Sequence, residues 1–180
     1  MSFDRAFEKT VRIEGGLSLD PDDNGNWTGG RKGLGTLKGT KYGISAARYP
    51  EEDIANLTIE RAKYLYHRDF WNPLRLDEVR NEAIQEEIFD TNVNMGAGGI
   101  ILQRAINFLE IGTPLVEDGV IGPKTLERAN FWIRKDAEAL HKALNGFQFM
   151  RYVEIVKNPT QEKFAWGWIK RIQYYRKQEV

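Results

Sequence analysis

Glu14 is the residue whose type and position most clearly suit chemistry. At about 100° per residue, Phe3, Ala6, Phe7, Val11 and Ile13 fall on one arc of an N-terminal helix, with Asp4, Arg5, Glu8, Lys9 and Arg12 opposite. Glu14 falls between Phe3 and Phe7, inside the apolar arc, and Gly15-Gly16 follow as helix-ending glycines. A carboxyl group on an apolar face beside a polar loop is partly desolvated, which disfavours its charged form and raises its pKa. An acid that cleaves a glycosidic bond needs this, because it must hold its proton near neutral pH. The same placement fits a helix-end carboxylate paired with Arg12 or Lys41, and spacing alone does not choose between the two.

A glycosidase acid usually works with a second carboxylate. Asp20, Asp22 and Asp23 stand just past the Gly-Gly turn, in Leu19-Asp20-Pro21-Asp22-Asp23-Asn24-Gly25. Each of them also suits a turn around Pro21, where a short carboxylate accepts a nearby backbone N–H. The spacing resembles the start of a calcium loop, but the downstream Gly and bidentate Glu are not at the required offsets. His67 and His141 are too few for a metal site and read as ordinary surface or core residues. There is no G-x-S-x-G, no phosphate-binding loop and no dinucleotide fingerprint. Neither a metal nor any other cofactor is expected.

The elements that must position these groups read as mainly helical. Segment 17–43 is polar and holds Gly25, Gly29, Gly30, Gly33, Gly35, Gly39 and Gly43, so it reads as turns with a small irregular β element near 25–44. A loop this long inside a compact domain is usually functional. Thr58 is placed to cap a helix over Ile59–Phe70, and Pro73 breaks it. Further helices are expected over 81–95, 100–109, 123–134, 136–156 and 161–177, with a joint at Gly96-Ala97-Gly98-Gly99. The helix at 100–109 is apolar on several sides, through Ile100, Ile101, Leu102, Ile106, Phe108 and Leu109, which places it at the centre under later helices. The expected division is 1–96 and 97–180, packed as one unit because the joint is short.

Composition narrows the function. Lys plus Arg and Asp plus Glu are 26 each, so the formal net charge is zero and no basic stripe points to nucleic acid. The absence of cysteine excludes disulfides, thiol catalysis and cysteine-bound zinc. No apolar run approaches the ~20 residues of a membrane span. Met1-Ser2-Phe3-Asp4-Arg5 lacks a basic and then apolar leader, which predicts a protein made in the cytoplasm. Reaching a substrate outside the cell would then require release or export, through a holin or an export partner.

Read in order, the motifs resemble the N-acetylmuramidases of glycoside hydrolase family 108. The match runs through Phe3-Asp4-Arg5-Ala6-Phe7, Ile13-Glu14-Gly15-Gly16, Asp20-Pro21-Asp22-Asp23 and Gly39-Thr40-Lys41-Tyr42-Gly43-Ile44-Ser45. It continues in Leu57-Thr58-Ile59-Glu60-Arg61-Ala62-Lys63, Tyr66-His67-Arg68-Asp69-Phe70-Trp71-Asn72-Pro73-Leu74 and Phe89-Asp90-Thr91-Asn92-Val93-Asn94-Met95-Gly96. Leu102-Gln103-Arg104-Ala105-Ile106-Asn107, Asp118-Gly119-Val120-Ile121-Gly122-Pro123-Lys124-Thr125 and Phe164-Ala165-Trp166-Gly167-Trp168-Ile169-Lys170-Arg171 resemble the peptidoglycan-binding domain that follows in that family.

The resemblance implies a lysozyme-like α fold and hydrolysis of the β-1,4 bond between N-acetylmuramic acid and N-acetylglucosamine in peptidoglycan glycan strands. It implies an endolysin-type enzyme of a bacterium, phage or prophage. The Glu of Glu-Gly-Gly, here Glu14, becomes the catalytic acid. The resemblance assigns no second carboxylate, and the nearby Asp20 or Asp23 is expected to stabilise the developing positive charge or orient water. Tyr42 and Trp71 wall the sugar sites, with core packing equally open for Trp71. Asn94 bonds an N-acetyl group or caps a helix. Lys41 stands where many members carry Asn. A lytic transglycosylase, and a cell-wall binding or export-helper protein without turnover, remain as alternatives.

Overall fold

The computed structural model describes residues 2–11, 16–158, 161 and 165–172. Glu14 therefore lies outside the described residues, as do Phe164, Tyr174 and Tyr175. The chain is mainly α with one small β element, as expected of the lysozyme-like class. It divides into two compact units, Phe3–Asp69 and Phe70–Val180.

The first unit begins with α1, Ser2–Val11, which buries Ala6, Phe7 and Thr10 on the face that periodicity assigns. The ring of Phe7 meets Tyr66 edge-on at 5.4 Å. Tyr66 ends α2, Ile59–Tyr66, whose first turn is capped by Thr58: its Oγ1 accepts the Arg61 N–H at 3.2 Å. A single π turn, His67–Trp71, carries the chain onward.

Between α1 and α2 runs the glycine-rich loop, whose described residues form a short 3-10 turn, Asn24–Asn26, and the hairpin of β1, Thr40–Lys41, and β2, Ile44–Ser45. An antiparallel bridge joins Ser18 to Thr40 of the hairpin, and a second joins Trp27 to Leu37 within the loop. Its centre is Asn26, which is fully buried. Asn26 donates from Nδ2 to the Asp20 carbonyl at 3.0 Å and accepts at Oδ1 from Thr40 Oγ1 at 2.7 Å. Its own carbonyl accepts the N–H groups of Lys38 and Gly39, both at 3.0 Å. One side chain thus ties both arms of a loop that has little apolar surface to bury.

In the second unit α3, Glu82–Met95, is capped by Asn81 and ends at Gly96, whose φ of 63° takes up the left-handed C-cap. Every residue from Ile84 to Thr91 is buried. Helix α4, Gly98–Leu109, lies under α5 as its apolar pattern predicts and buries Ile101, Leu102, Ala105 and Ile106, so α3 and α4 are both enclosed. Helix α3 can be buried because its polar side chains have partners. Gln85 bonds the Leu76 and Val79 carbonyls, Asp90 pairs with Arg171 at 2.8 Å, and Thr91 accepts from Gln148 at 2.9 Å. Glu87 faces the buried His141 at 3.8 Å. Meanwhile α4 leaves Phe108 outside, 73% exposed.

The glycines at the α3–α4 joint are close-approach residues. A Cβ on Gly98 would come within 2.5 Å of the Ile88 carbonyl oxygen, and one on Gly99 within 2.1 Å of the Gly119 carbonyl oxygen. Helix α5, Pro123–Ile155, is broken at Asp136, whose extended backbone (φ −163°) and side chain, accepting the Ala139 N–H at 2.9 Å, start the helix afresh. This matches the two helices expected over 123–134 and 136–156. Past the break, Gly146 costs the helix about 1 kcal/mol relative to alanine, although a Cβ there would meet nothing within 4 Å among the described residues. Of the helix expected over 161–177, α6, Ala165–Ile169, is helical and ends in a turn at Lys170 and Arg171, while 162–164 and 173–177 lie outside the described residues. Trp168 stacks on Tyr152 at 5.6 Å.

Two outcomes are expected. Asn26→Ala strands the Asp20 carbonyl and the Thr40 hydroxyl; at about 1–3 kcal/mol for orphaned groups, thermal unfolding should fall by several degrees and proteolysis should concentrate in 20–40. An unchanged midpoint contradicts the role given to Asn26. A fragment ending at residue 96 keeps α3 but loses the α4 and α5 that pack on it. With Ile84, Ile88 and Phe89 uncovered, it should be insoluble or molten, and a folded, monomeric fragment by near-UV circular dichroism and sedimentation overturns this.

Candidate active site

The first unit holds Asp20, Asp23, Lys41 and Tyr42; the second holds Trp71 and Asn94. Within the first, segment 18–20 is laid beside the hairpin. Ser18 and Thr40 exchange both backbone hydrogen bonds, at 2.9 and 3.0 Å, and Asn26 links the Asp20 backbone to Thr40. Asp20 and the hairpin are thus brought together by a residue that the sequence pattern does not single out.

The two aspartates share a local geometry. Asp20 accepts the Asp22 N–H at 2.9 Å, and Asp23 accepts the Gly25 N–H at 2.8 Å, capping the short 3-10 turn Asn24–Asn26. Both are exposed. Each uses one carboxylate oxygen, Oδ1, to form a turn, and Asp22 pairs with Lys32. The turn-forming reading of these aspartates is visible in the structure.

The hairpin tip is Tyr42-Gly43, with φ of 51° and 73°. Two successive left-handed residues make the tight turn that matches strand twist, at a steric cost for tyrosine. Gly43 is required here twice over: its φ is positive, and a Cβ would fall 2.3 Å from the Tyr66 hydroxyl. Tyr66 thus lies directly beneath the tip, its phenol pushed up to about 12 by burial. Lys41 donates from Nζ to the Ala55 carbonyl at 3.1 Å and lies 5.4 Å from the Tyr42 ring centre. Its ammonium thereby fastens the hairpin to the 53–56 turn.

A second polar group closes this unit. Tyr49 donates to Asp69 at 2.9 Å, and Arg68 grips the same carboxylate with two bonds at 2.6 and 2.7 Å. The Arg68 guanidinium, opposed by burial and aided by the Tyr49 hydroxyl, holds Asp69 below the usual carboxylate range. The expected sequence match at Arg68-Asp69 is therefore an ion pair that anchors 49 to the end of α2.

In the second unit, Trp71 is fully buried, donates from Nε1 to Asp77 at 2.9 Å and meets Phe89 edge-on at 5.5 Å. Stacking on a sugar needs an exposed ring face, so this burial supports core packing, one of the two roles open to Trp71. Asn94 is exposed and donates to the Asp90 carbonyl at 2.8 Å, one turn back on its own helix. Among the described residues no three His, Asp or Glu side chains converge to hold a metal ion. None of the described helices is long and apolar enough to cross a membrane.

Tyr66 and Asn26 are the positioning residues that spacing alone does not reveal. Tyr66 reads from the sequence as one more apolar position of α2. Asn26 reads as one more polar loop residue.

Comparison with known proteins fits this arrangement. No curated protein matches the chain in sequence. Among solved structures, one described as the structure of Brucella abortus SagA is similar, with a TM-score of 0.67 and 23% identity over 95% of this chain and 89% of that one. At that identity the likeness speaks for a shared fold. The model of a predicted peptidoglycan domain matches residues 98–173. That of glycosyl hydrolase 108 matches residues 7–96, which take in the Glu-Gly-Gly segment, the loop and its hairpin. Half of the chain lies within that second match, and the protein is a member of the glycosyl hydrolase 108 family, a glycosidase of the bacterial cell wall.

Proposed function

We propose that the chain is an N-acetylmuramidase that hydrolyses the β-1,4 bond between N-acetylmuramic acid and N-acetylglucosamine, with Glu14 as its general acid. The observation that carries this reading is the family match over 7–96, because it spans Glu14, the carboxylate that helical periodicity assigns to the apolar arc before the loop. The adjoining peptidoglycan-domain match supports the choice of substrate.

In the proposed reaction, the Glu14 carboxyl proton passes to the bridging oxygen as the bond from muramic acid C1 to that oxygen breaks. The bonding pair leaves with the glucosamine O4, and positive charge develops at C1 and its ring oxygen. Water adds to C1 and gives up one proton to a carboxylate. The products are a reducing muramic acid end and a free glucosamine hydroxyl. Asp20 or Asp23, held in a loop braced by Asn26, supplies negative charge toward C1 or orients the water, and Tyr42 borders the sugars from the hairpin tip.

The competing transglycosylase reading differs at one step only: the muramic acid 6-hydroxyl attacks in place of water and leaves a 1,6-anhydro end. Chromatography of digested walls should give reducing muramic acid ends, and anhydro ends overturn the hydrolase. Glu14→Gln keeps the side-chain shape but has no proton to transfer, so a zymogram on purified walls should lose clearing by at least about a hundredfold, within the range a general acid contributes. Clearing within tenfold of wild type removes Glu14 from the role.

Asn forms the same turns as Asp without the charge, so Asp20→Asn and Asp23→Asn separate turn-forming from catalysis. Both variants should keep the wild-type unfolding temperature, and one should lose about a hundredfold in kcat. If both keep kcat within threefold, neither aspartate stabilises the transition state.

A further inference from the structure

Helix α4 and the second stretch of α5, 137–155, leave an apolar groove of about 600 Å³ between Phe108, Leu109, Ala143, Gly146, Phe147 and Met150. Phe108 and Phe147 meet edge-on at 6.0 Å and form its floor, although Phe108 is 73% and Met150 58% exposed. A polar extension of about 500 Å³ continues from the same Phe108, Phe147 and Met150. There Arg104 pairs with Glu117 at 2.8 Å, and Arg151 pairs with Glu154 at 3.1 Å. Exposed pairs of this kind hold each other weakly, so a ligand's carboxylate or amine can take either partner.

Gly146 is the independent observation. Glycine within a helix disfavours it. Here a Cβ would meet nothing within 4 Å among the described residues. The space it leaves opens into the apolar groove. An outside group that approaches the helix backbone closely would account for it.

We propose that this groove binds the peptide stem of peptidoglycan. The inference rests on the cell-wall reading above and on the match of 98–173 to a predicted peptidoglycan domain, which contains every residue of the groove. A wall stem is a short peptide rich in alanine methyl groups, with free carboxylates and one side-chain amine. The methyls suit the Phe108, Phe147 and Met150 floor beside Gly146. The carboxylates suit the forked guanidinium groups of Arg104 and Arg151, and the amine suits Glu117 or Glu154. A bare glycan carries neither the carboxylates nor the amine that these two rim pairs would answer.

The test uses the full chain and a synthetic L-Ala-γ-D-Glu-L-Lys-D-Ala tetrapeptide, with a chitin tetrasaccharide as the sugar-only control. Amide shifts in NMR should move at residues around 104–108 and 143–151 with the tetrapeptide and not with the sugar. Gly146→Leu fills the space and should raise the tetrapeptide Kd tenfold or more, and Arg151→Glu should do the same by reversing charge. Gly146→Ala guards against misfolding: it should raise the unfolding midpoint by about 2–4 °C while still weakening the peptide. The proposal falls if the tetrapeptide leaves these residues unmoved, if Gly146→Leu binds it as wild type does, or if the sugar alone moves the groove. It falls equally if sedimentation shows a dimer that Phe108→Ser dissolves, since the groove is then a contact between copies. Peptide binding is read without glycan and without turnover, so a failure here leaves the wall-clearing result standing by itself.

Discussion

A backbone that leaves helix or strand still needs partners for its N–H and C=O groups wherever packing removes water, and in this protein that need is met by primary amides. Asn26 clamps the two arms of the glycine-rich loop. Gln85 takes the carbonyls of Leu76 and Val79. Gln103 donates to Asp118 and the Val120 carbonyl and accepts from the Gly119 N–H. Asn107 exchanges two bonds with the backbone of Leu115, and Asn130 bonds the Glu78 carbonyl and the Arg80 N–H. An amide suits the task because it donates and accepts at once and carries no charge to desolvate. The helices can supply the core, but these side chains decide where the connections lie.

The loop that carries the candidate aspartates depends most on this device. It is long, polar and rich in glycine, so apolar burial cannot hold it. It is held instead by Asn26, by the Ser18–Thr40 bridge and by the fit of Gly43 over the Tyr66 hydroxyl. A rigid frame is what a glycosidase needs there, because catalytic groups displaced by an ångström lose much of their effect. Lys41, an unusual residue at its position within the resemblance, is absorbed into the same frame through Ala55. Its ammonium is engaged in holding the hairpin in place.

The second unit shows how a polar helix can be buried as fully as an apolar one. Helix α3 brings Gln85, Glu87, Asp90 and Thr91 into a buried setting where Arg171, His141 and Gln148 meet them. Removing one partner from such a set is costly, whereas the set as a whole contributes little to stability and much to fixing one arrangement. Helix α4 gives up burial at Phe108, and the result is an open apolar groove on a domain of the peptidoglycan-binding type.

Local periodicity and punctuation were enough to read much of the chain. The amphipathic pattern of 3–11, Thr58 as a cap, Gly96 as a helix end, Pro123 at a helix start and the interruption at 135–136 are effects of nearest neighbours, so they are legible without a fold. The ordered motifs also carried the family and the cell-wall chemistry. Tertiary structure alone decided what depends on distant partners. It buried Trp71 against Phe89, placed Tyr66 under Gly43 and made Asn26 a hub. It enclosed α3 as well as α4 because paired polar groups can be buried and hydropathy does not register pairing. It left Gly146 facing open space for the same reason: whether a missing side chain makes room for the protein or for a ligand is a fact about three dimensions.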